Sequence, residues 1–439
     1  MNDSLARLFF TKLLFVTLAW PGSLCAETEA ENWNAWRGPQ GDGTSREKNV
    51  PVRWDGANEE NIAWKVELPG KGHASPILWG DRMFLLSCLT EAEERVLLCL
   101  DREKGEIVWK RTVLRSLLET KHSLNSFASS TPATDGEYVF VAFLEVDGHT
   151  IPAPNVSNHR PVTPGRVVVA AYDFRGERKW IAKLGEFISA HGFGSSPVLY
   201  RDLVIVNGDH DGDGYIVALD RESGKTRWKI DRENKTRSYV TPIVGEIGGR
   251  QQLILSGSKS VASYDPASGE RHWVIDGPTE QFVASLVYDG NLLFMTAGFP
   301  DRHILAIRPD GRGNVTDTHI VWRTNRGAAY VPSPIVVGSY FLVVSDKGIA
   351  SCFDAASGTR HWMERIGPGY SASLVTAGGL VYFLSERGVM TVVRPGTEFE
   401  VVAKNDLGER CSGSPAISGG RMYLRGEKHL YAIGAASRN

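Results

Sequence analysis

Three groups of residues in this 439-residue chain have types and spacings that chemistry uses. The first is Asp209-His210-Asp211-Gly212-Asp213-Gly214, where carboxylates stand at alternate positions before glycines. That pattern matches the opening of an oxygen-ligand calcium loop and makes Asp209, Asp211 and Asp213 candidate Ca²⁺ ligands. Asp and Gly are also what an exposed hairpin turn prefers, and the Glu of the helix-loop-helix version is missing, so both readings stand. The second group is Lys71, His73, His122, Asn125, His191, Tyr239, Gln281, Tyr330, Tyr370 and Arg410. These imidazole, phenol, amide and cationic groups suit a small molecule or a peptide loop, provided that the fold brings them together. Otherwise they are solvated rim residues, and the histidines would have to converge from separate segments to hold a metal. The third group is Cys88, Cys99, Cys352 and Cys411, in which Cys88 and Cys99 flank a polar turn. A cross-strand disulfide and two small buried strand residues explain that pair equally well. No Cys-x-x-Cys, Gly-x-Ser-x-Gly or phosphate-cradling glycine loop before a helix occurs, and Gly192-Phe193-Gly194-Ser195-Ser196 leads into a strand.

The elements that must position these groups repeat. Ala218-Leu219-Asp220-Arg221-Glu222-Ser223-Gly224-Lys225-Thr226-Arg227-Trp228 reads as a strand end, a tight turn and the start of the next strand. Asp at the turn entry accepts backbone N–H groups, and Gly supplies a positive φ. The same spacing recurs at Cys99–Trp109, Ser263–Trp273 and Cys352–Trp362, with decayed copies at Asp173–Trp180, Ala306–Trp322 and around Arg394–Val401. Upstream of each lies a mark: Ser75-Pro76, Thr131-Pro132, Ser196-Pro197, Thr241-Pro242, Ser285-Leu286, Ser333-Pro334, Ser373-Leu374 and Ser414-Pro415. Apolar, β-branched runs such as Leu203–Val206 and Phe341–Val344 follow the marks, and helical periodicity is absent. The last copy lacks its Trp strand, whereas Ile62–Val66 near the N-terminus is a Trp strand without a preceding copy.

The two halves complete each other. The expectation is an all-β protein: an eight-bladed β-propeller of four-stranded antiparallel blades over residues 62–434, closed by pairing the N-terminal strand into the C-terminal blade. Closure removes an exposed sheet edge. Trp64, Trp109, Trp180, Trp228, Trp273, Trp322 and Trp362 are expected between blades as structural wedges. Since innermost strands line the channel, the links preceding the marks carry the second group of residues around one rim.

With a formal charge of −2 and no basic tract, the chain offers no field for nucleic acid. Arg7 and Lys12 precede the short apolar run Leu13–Leu24, and Leu24-Cys25-Ala26 offers a cleavage site. Residues 1–26 therefore read as a signal peptide, 27–61 as an approach segment and 435–439 as a tail. The mature protein is expected to be periplasmic or extracellular and monomeric, with an uncleaved anchor as the alternative. The Pro-rich connection Glu145–Gly165, carrying His149, Asn155 and His159, is long enough to cover the channel mouth or contact a partner.

The Ala-x-Asp-x-x-x-Gly-x-x-x-Trp skeleton, with Trp36-Arg37-Gly38-Pro39-Gln40-Gly41-Asp42-Gly43 and Asn61-Ile62-Ala63-Trp64, resembles the pyrroloquinoline quinone (PQQ) repeat propellers. These include quinoprotein dehydrogenases and BamB-like proteins. The resemblance covers nearly all of the mature chain and implies the propeller fold. It also implies either a binding scaffold with an envelope or secreted protein partner, or an oxidoreductase holding PQQ and Ca²⁺ in the channel. The quinoprotein enzymes use an Asp base, carboxylate and amide metal ligands and, in several cases, an adjacent-cysteine disulfide. This chain has no adjacent cysteines, and the resemblance does not map their base or metal ligands onto particular positions here. The motif belongs to blade interfaces, so it speaks for fold and leaves activity open.

Overall fold

Eight antiparallel four-stranded sheets follow one another around a channel. The computed structural model describes residues 32–156 and 160–435, so the expected leader lies outside the described residues, as do His159 and all but the first residue of the tail. Blades 1 to 8 are numbered here by their marks, from Ser75 to Ser414. Strand Ile62–Glu67 pairs antiparallel with His429–Ile433, placing Trp64 opposite Ala432, so the N-terminal strand is the outermost strand of blade 8. Two additions depart from the plain pattern. Gly313–Asn314 adds a parallel fifth strand to blade 4, and Ile151–Pro152 pairs with Pro161–Val162 within the long blade 2 connection.

The strand sequences follow from where they sit. In blade 3, Leu203–Gly208 is buried throughout because both faces of the sheet meet neighbouring blades, whereas the outer strand Thr226–Asp231 alternates between exposed and half-buried residues. A strand covered on both faces reads as a continuous apolar run, and a half-covered one alternates.

Two side-chain systems run around the ring. In the outer one each tryptophan reaches into the next blade. The indole N–H donates to a turn carbonyl there: Trp64 to Arg102 at 3.1 Å, Trp109 to Phe174 at 2.9 Å, Trp180 to Arg221 at 2.8 Å, Trp228 to Pro266 at 3.2 Å, Trp322 to Ala355 at 2.8 Å and Trp362 to Gly396 at 3.0 Å. Trp273, fully buried, donates to Pro309 at 3.1 Å and to Gln252. In five of these turns the acceptor is the residue after the motif Asp, whose own Oδ1 accepts turn N–H groups, as Asp265 does from Ala267 and Ser268. The motif glycine is required twice over. Gly224 has φ +68°, and a Cβ there would lie 2.5 Å from the Trp180 ring.

The inner system explains the Ser/Thr marks. The N–H of one mark donates to the hydroxyl of the next: Ser75 to Thr131, Thr131 to Ser196, Ser196 to Thr241, Ser285 to Ser333, Ser333 to Ser373 and Ser373 to Ser414, all at 2.9 to 3.1 Å. Between blades 4 and 5 the direction reverses, and Ser285 Oγ donates to the Thr241 carbonyl at 3.1 Å. At Thr131, Ser196, Thr241, Ser333, Ser373 and Ser414 a hydroxyl is needed because the backbone N–H facing it is buried and must be paired.

The approach segment is a plug. Trp33 and Asn34 carbonyls accept from Leu78 and Thr134 N–H at 2.8 Å each, while Gly43 and Ser45 bridge to Thr376. Arg37, almost fully buried, donates to the Pro334 carbonyl at 2.6 Å and the Leu374 carbonyl at 3.1 Å, and burial lowers its pKa to about 10. Glu47 takes the N–H groups of Gly419 and Gly420. The segment thereby ties together blades 1, 2, 6, 7 and 8 on the face opposite the rim links.

Candidate functional site: the central cavity

The plugged channel leaves a cavity of about 490 Å³, within the roughly 300–1,000 Å³ usual for small-molecule sites. Trp36 forms part of its lining, its indole donating to Ser285 Oγ at 3.1 Å. Six of the rim candidates border it: His73, His122, Asn125, His191, Tyr239 and Tyr330. The His122 and His191 rings meet edge to face at 5.1 Å, and His191 stacks on Tyr239 at 6.1 Å and 22°. Asn125 is fixed by donating to the His191 carbonyl at 2.7 Å and accepting from Ser129 Oγ at 2.6 Å. Tyr239 shares a 3.1 Å hydrogen bond with Ser189 Oγ.

Four other rim candidates do not border the cavity. The Lys71 side chain points to solvent while its backbone pairs with Cys88. Gln281 is buried behind Tyr330, accepting its hydroxyl at 3.1 Å. Tyr370 tucks inward beneath Gly348 and Gly367, where burial pushes its pKa up to about 12. Arg410 is exposed and lies 3.9 Å from Glu386. In blades 7 and 8 the cavity is bordered instead by Ser371 and Ser412. Sequence reasoning also missed Trp36, Leu124, Phe299, Arg302, Asp346 and Lys347 in the lining. Of these only Trp36 carried a signal, inside the Trp36–Gly43 stretch.

The imidazoles in this wall are neutral at pH 7. Burial, with the charge of Arg425 and Lys121, lowers His73 to about 4, and burial with Arg237, His122 and Arg160 lowers His191 to about 3. His122 is lowered by burial, Arg160 and Lys121. No lining hydroxyl among the described residues is hydrogen-bonded to an imidazole, so no nucleophile–base pair is assembled.

Asp209, Asp211 and Asp213 do not converge on a cation. Asp209 is buried against Arg232 at 2.8 Å, Asp211 against Arg237 at 2.6 Å, and Asp213 points outward to Lys235 at 2.7 Å. Each carboxylate already has its cation, and no group of three or more His, Cys, Asp or Glu suited to a metal occurs among the described residues. His210 between them is structural, its Nδ1 accepting from Ile188 N at 3.1 Å and Gly212 N at 2.9 Å. The long blade 2 connection docks on this hairpin: Asn155 donates to Asp211 at 3.3 Å, and its carbonyl accepts from Arg237 at 3.2 Å. Cys88 pairs across its hairpin with Arg95 and Cys99 with Phe84, so the two thiols never face each other. Both are free and buried, as are Cys352 and Cys411.

A quinone cofactor with Ca²⁺ needs several oxygen donors at one point. Among the described residues, Asp346 is the one carboxylate in the cavity lining. Its two oxygens are taken by the N–H groups of Tyr330 at 3.0 Å and Val331 at 2.9 Å. The donor set does not fit that group.

Solved structures share the architecture. BamB from Moraxella catarrhalis superposes with a TM-score of 0.60 at 12% identity, covering 85% of this chain and 99% of that one. Quinohemoprotein alcohol dehydrogenase from Comamonas testosteroni superposes at 0.63 and 12%, covering 93% and 81%. A computationally designed protein, Ika8, superposes at 0.58 and 11%, covering 85% and 100%. An assembly factor, an enzyme and a design on one scaffold show that these likenesses carry the fold alone. No curated protein matches the chain. The family model described as outer membrane protein assembly factor BamB, a PQQ-repeat model, matches residues 165–399, and the chain belongs to that family.

Proposed function

We propose that this chain is an exported binding module of the cell envelope, holding its ligand in the central cavity. The carrying observation is the shape and chemistry of that cavity. It is plugged at one end by Trp36, walled by neutral imidazoles and tyrosines, and bordered by Leu124 and Phe299, which at 52% and 51% are the most exposed large apolar side chains among the described residues. A concave, partly apolar site with a few fixed polar groups and no assembled catalytic pair is built to hold rather than to convert. Membership of the BamB family favours the same reading over the oxidoreductase one, and export rests on the leader-like N-terminus.

The test uses immobilised full-length mature protein exposed to envelope extract, beside a Leu124→Asp/Phe299→Asp double variant. A compound or protein retained by the wild type and lost by the variant supports the reading. Equal retention moves binding away from the cavity. PQQ added with and without Ca²⁺, followed by a bound-quinone spectrum and dye reduction with alcohols or sugars, would favour the oxidoreductase reading instead.

A further inference from the structure

We propose that the cavity is a receptor for an acidic saccharide of the uronate kind, an inference that rests on the cavity being the ligand site. Three independent features of its wall converge on that chemistry.

The first is a ring of hydroxyl donors. Ser196, Thr241, Ser333, Ser373 and Ser414 all border the cavity. Each hydroxyl oxygen accepts a backbone N–H from the preceding blade at 2.9 to 3.1 Å. None donates to an acceptor among the described residues. With the oxygen engaged from behind, what each offers the cavity is its O–H, polarised by the N–H bond it already receives. A circle of such donors fits a ligand rich in oxygen acceptors, as a sugar acid is.

The second is uncompensated positive charge. Arg302 and Lys347 stand exposed in the lining with no carboxylate partner among the described residues. Behind the wall, the Arg425 guanidinium is fully buried and donates to the Leu86 and Ala74 carbonyls and Ser87 Oγ, with no carboxylate. Lys121 lies over Phe127, and Arg160 donates to the Ala190 carbonyl. Against these stand Asp346, capped by two N–H groups, Glu386, which accepts Ser371 Oγ at 2.6 Å, Asp211, which neutralises Arg237, and Glu119, which pairs with Arg95 and also acts on Lys121. A low-dielectric cleft with this imbalance attracts an anion.

The third is the aromatic surface of the wall. His191 and Tyr239, packed ring on ring at 6.1 Å and 22°, and Trp36 put aromatic surface into the lining, against which the C–H side of a sugar would rest. The neutral imidazoles of His73 and His191 can each donate and accept one hydrogen bond, and His122, whose Nδ1 accepts the Leu124 N–H at 3.1 Å, offers its other ring nitrogen as a donor, which suits sugar hydroxyls. A purely aromatic ligand would leave the hydroxyl donors unused, and a neutral one would leave the cations unused.

The experiment is calorimetric titration of the full-length mature protein with trigalacturonate, its fully methyl-esterified form, D-galacturonate and D-galactose. Expected results are binding of trigalacturonate, at least 10-fold weaker binding of the ester, and weakening of the acid with added salt. An Arg302→Gln/Lys347→Gln variant, whose substitutions are at exposed positions and whose melting is checked separately, should lose at least 10-fold for the acid and nothing for the ester. Equal binding of acid and ester, or an unaffected double variant, overturns the charge assignment while leaving the cavity as the ligand site. Silence with all four probes overturns the saccharide assignment, and the extract experiment above then decides the cavity reading separately.

Discussion

Acid should loosen this propeller through His210, and the structure sets the size of the effect. The imidazole is almost fully buried, accepts two backbone N–H groups at Nδ1 and has Nε2 3.1 Å from the Asp213 carbonyl, to which it donates. A proton on Nδ1 would cost both acceptor contacts and place a charge in a dry site. Burial accordingly lowers the pKa to about 4, against about 6.5 in an unfolded chain. Below about pH 6.5 the unfolded chain therefore binds the proton first. The His210 contribution is intact above that value and is lost as the pH falls towards about 4. At about 1.4 kcal/mol per pKa unit, acidifying from pH 7 to pH 5 removes about 2 kcal/mol. His73 and His191 titrate in the same direction, so the difference between variants, not the whole slope, isolates the residue. Urea unfolding of the wild type and His210→Asn at both pH values measures it. The variant should be less stable at pH 7, and its loss on acidification should be smaller by about 2 kcal/mol. Parallel losses in the two proteins would refute the assignment, as would an imidazole resonance of His210 that titrates near pH 6.5.

The interfaces yield the remaining predictions. Trp180→Ala should cost about 3–5 kcal/mol through the cavity it leaves, and Trp180→Phe about 1 kcal/mol through the lost bond to Arg221; thermal unfolding distinguishes them. Gly224→Ala should cost at least about 1–2 kcal/mol from its left-handed backbone alone, with the Trp180 ring 2.5 Å from the new Cβ adding to that. Asp209→Asn strands the buried Arg232 and should cost about 3–5 kcal/mol, while Ca²⁺ added to chelated wild-type protein should leave the melting temperature unmoved. Deleting the chain through Glu67 uncovers the edge of His429–Ile433; the amides of that strand should lose protection from hydrogen exchange, and the protein should self-associate in sedimentation.

What could be read from the sequence, and what could not, divides along the range of the interactions. The Asp, Gly and Trp of each turn are legible because the same contact is made at successive blade interfaces, so its chemistry is written repeatedly at one spacing. Rim positions are written once each. Tyr330 and Tyr370 both stand three residues before their marks, yet one borders the cavity and the other folds beneath Gly348 and Gly367, where the absence of side chains leaves it room. The partners that turn Asp209 and Asp211 from metal candidates into ion pairs are Arg232 and Arg237, which arrive from the following link, beyond any local pattern.

The plug is the part of the fold least legible in the sequence. Residues 33–47 have no period, because they meet a different blade at each step: blade 1 through Trp33, blade 2 through Asn34, blade 5 through Trp36, blades 6 and 7 through Arg37 and blade 8 through Glu47. A segment whose contacts never repeat leaves no mark in a search for repeats. Yet the Trp36 indole, held by the Ser285 hydroxyl, lies in the cavity lining, and the segment that carries it blocks one end of the channel. On the reading proposed above, the segment ahead of the first blade belongs to the site, because it closes one end of the cavity and contributes the Trp36 ring to its wall.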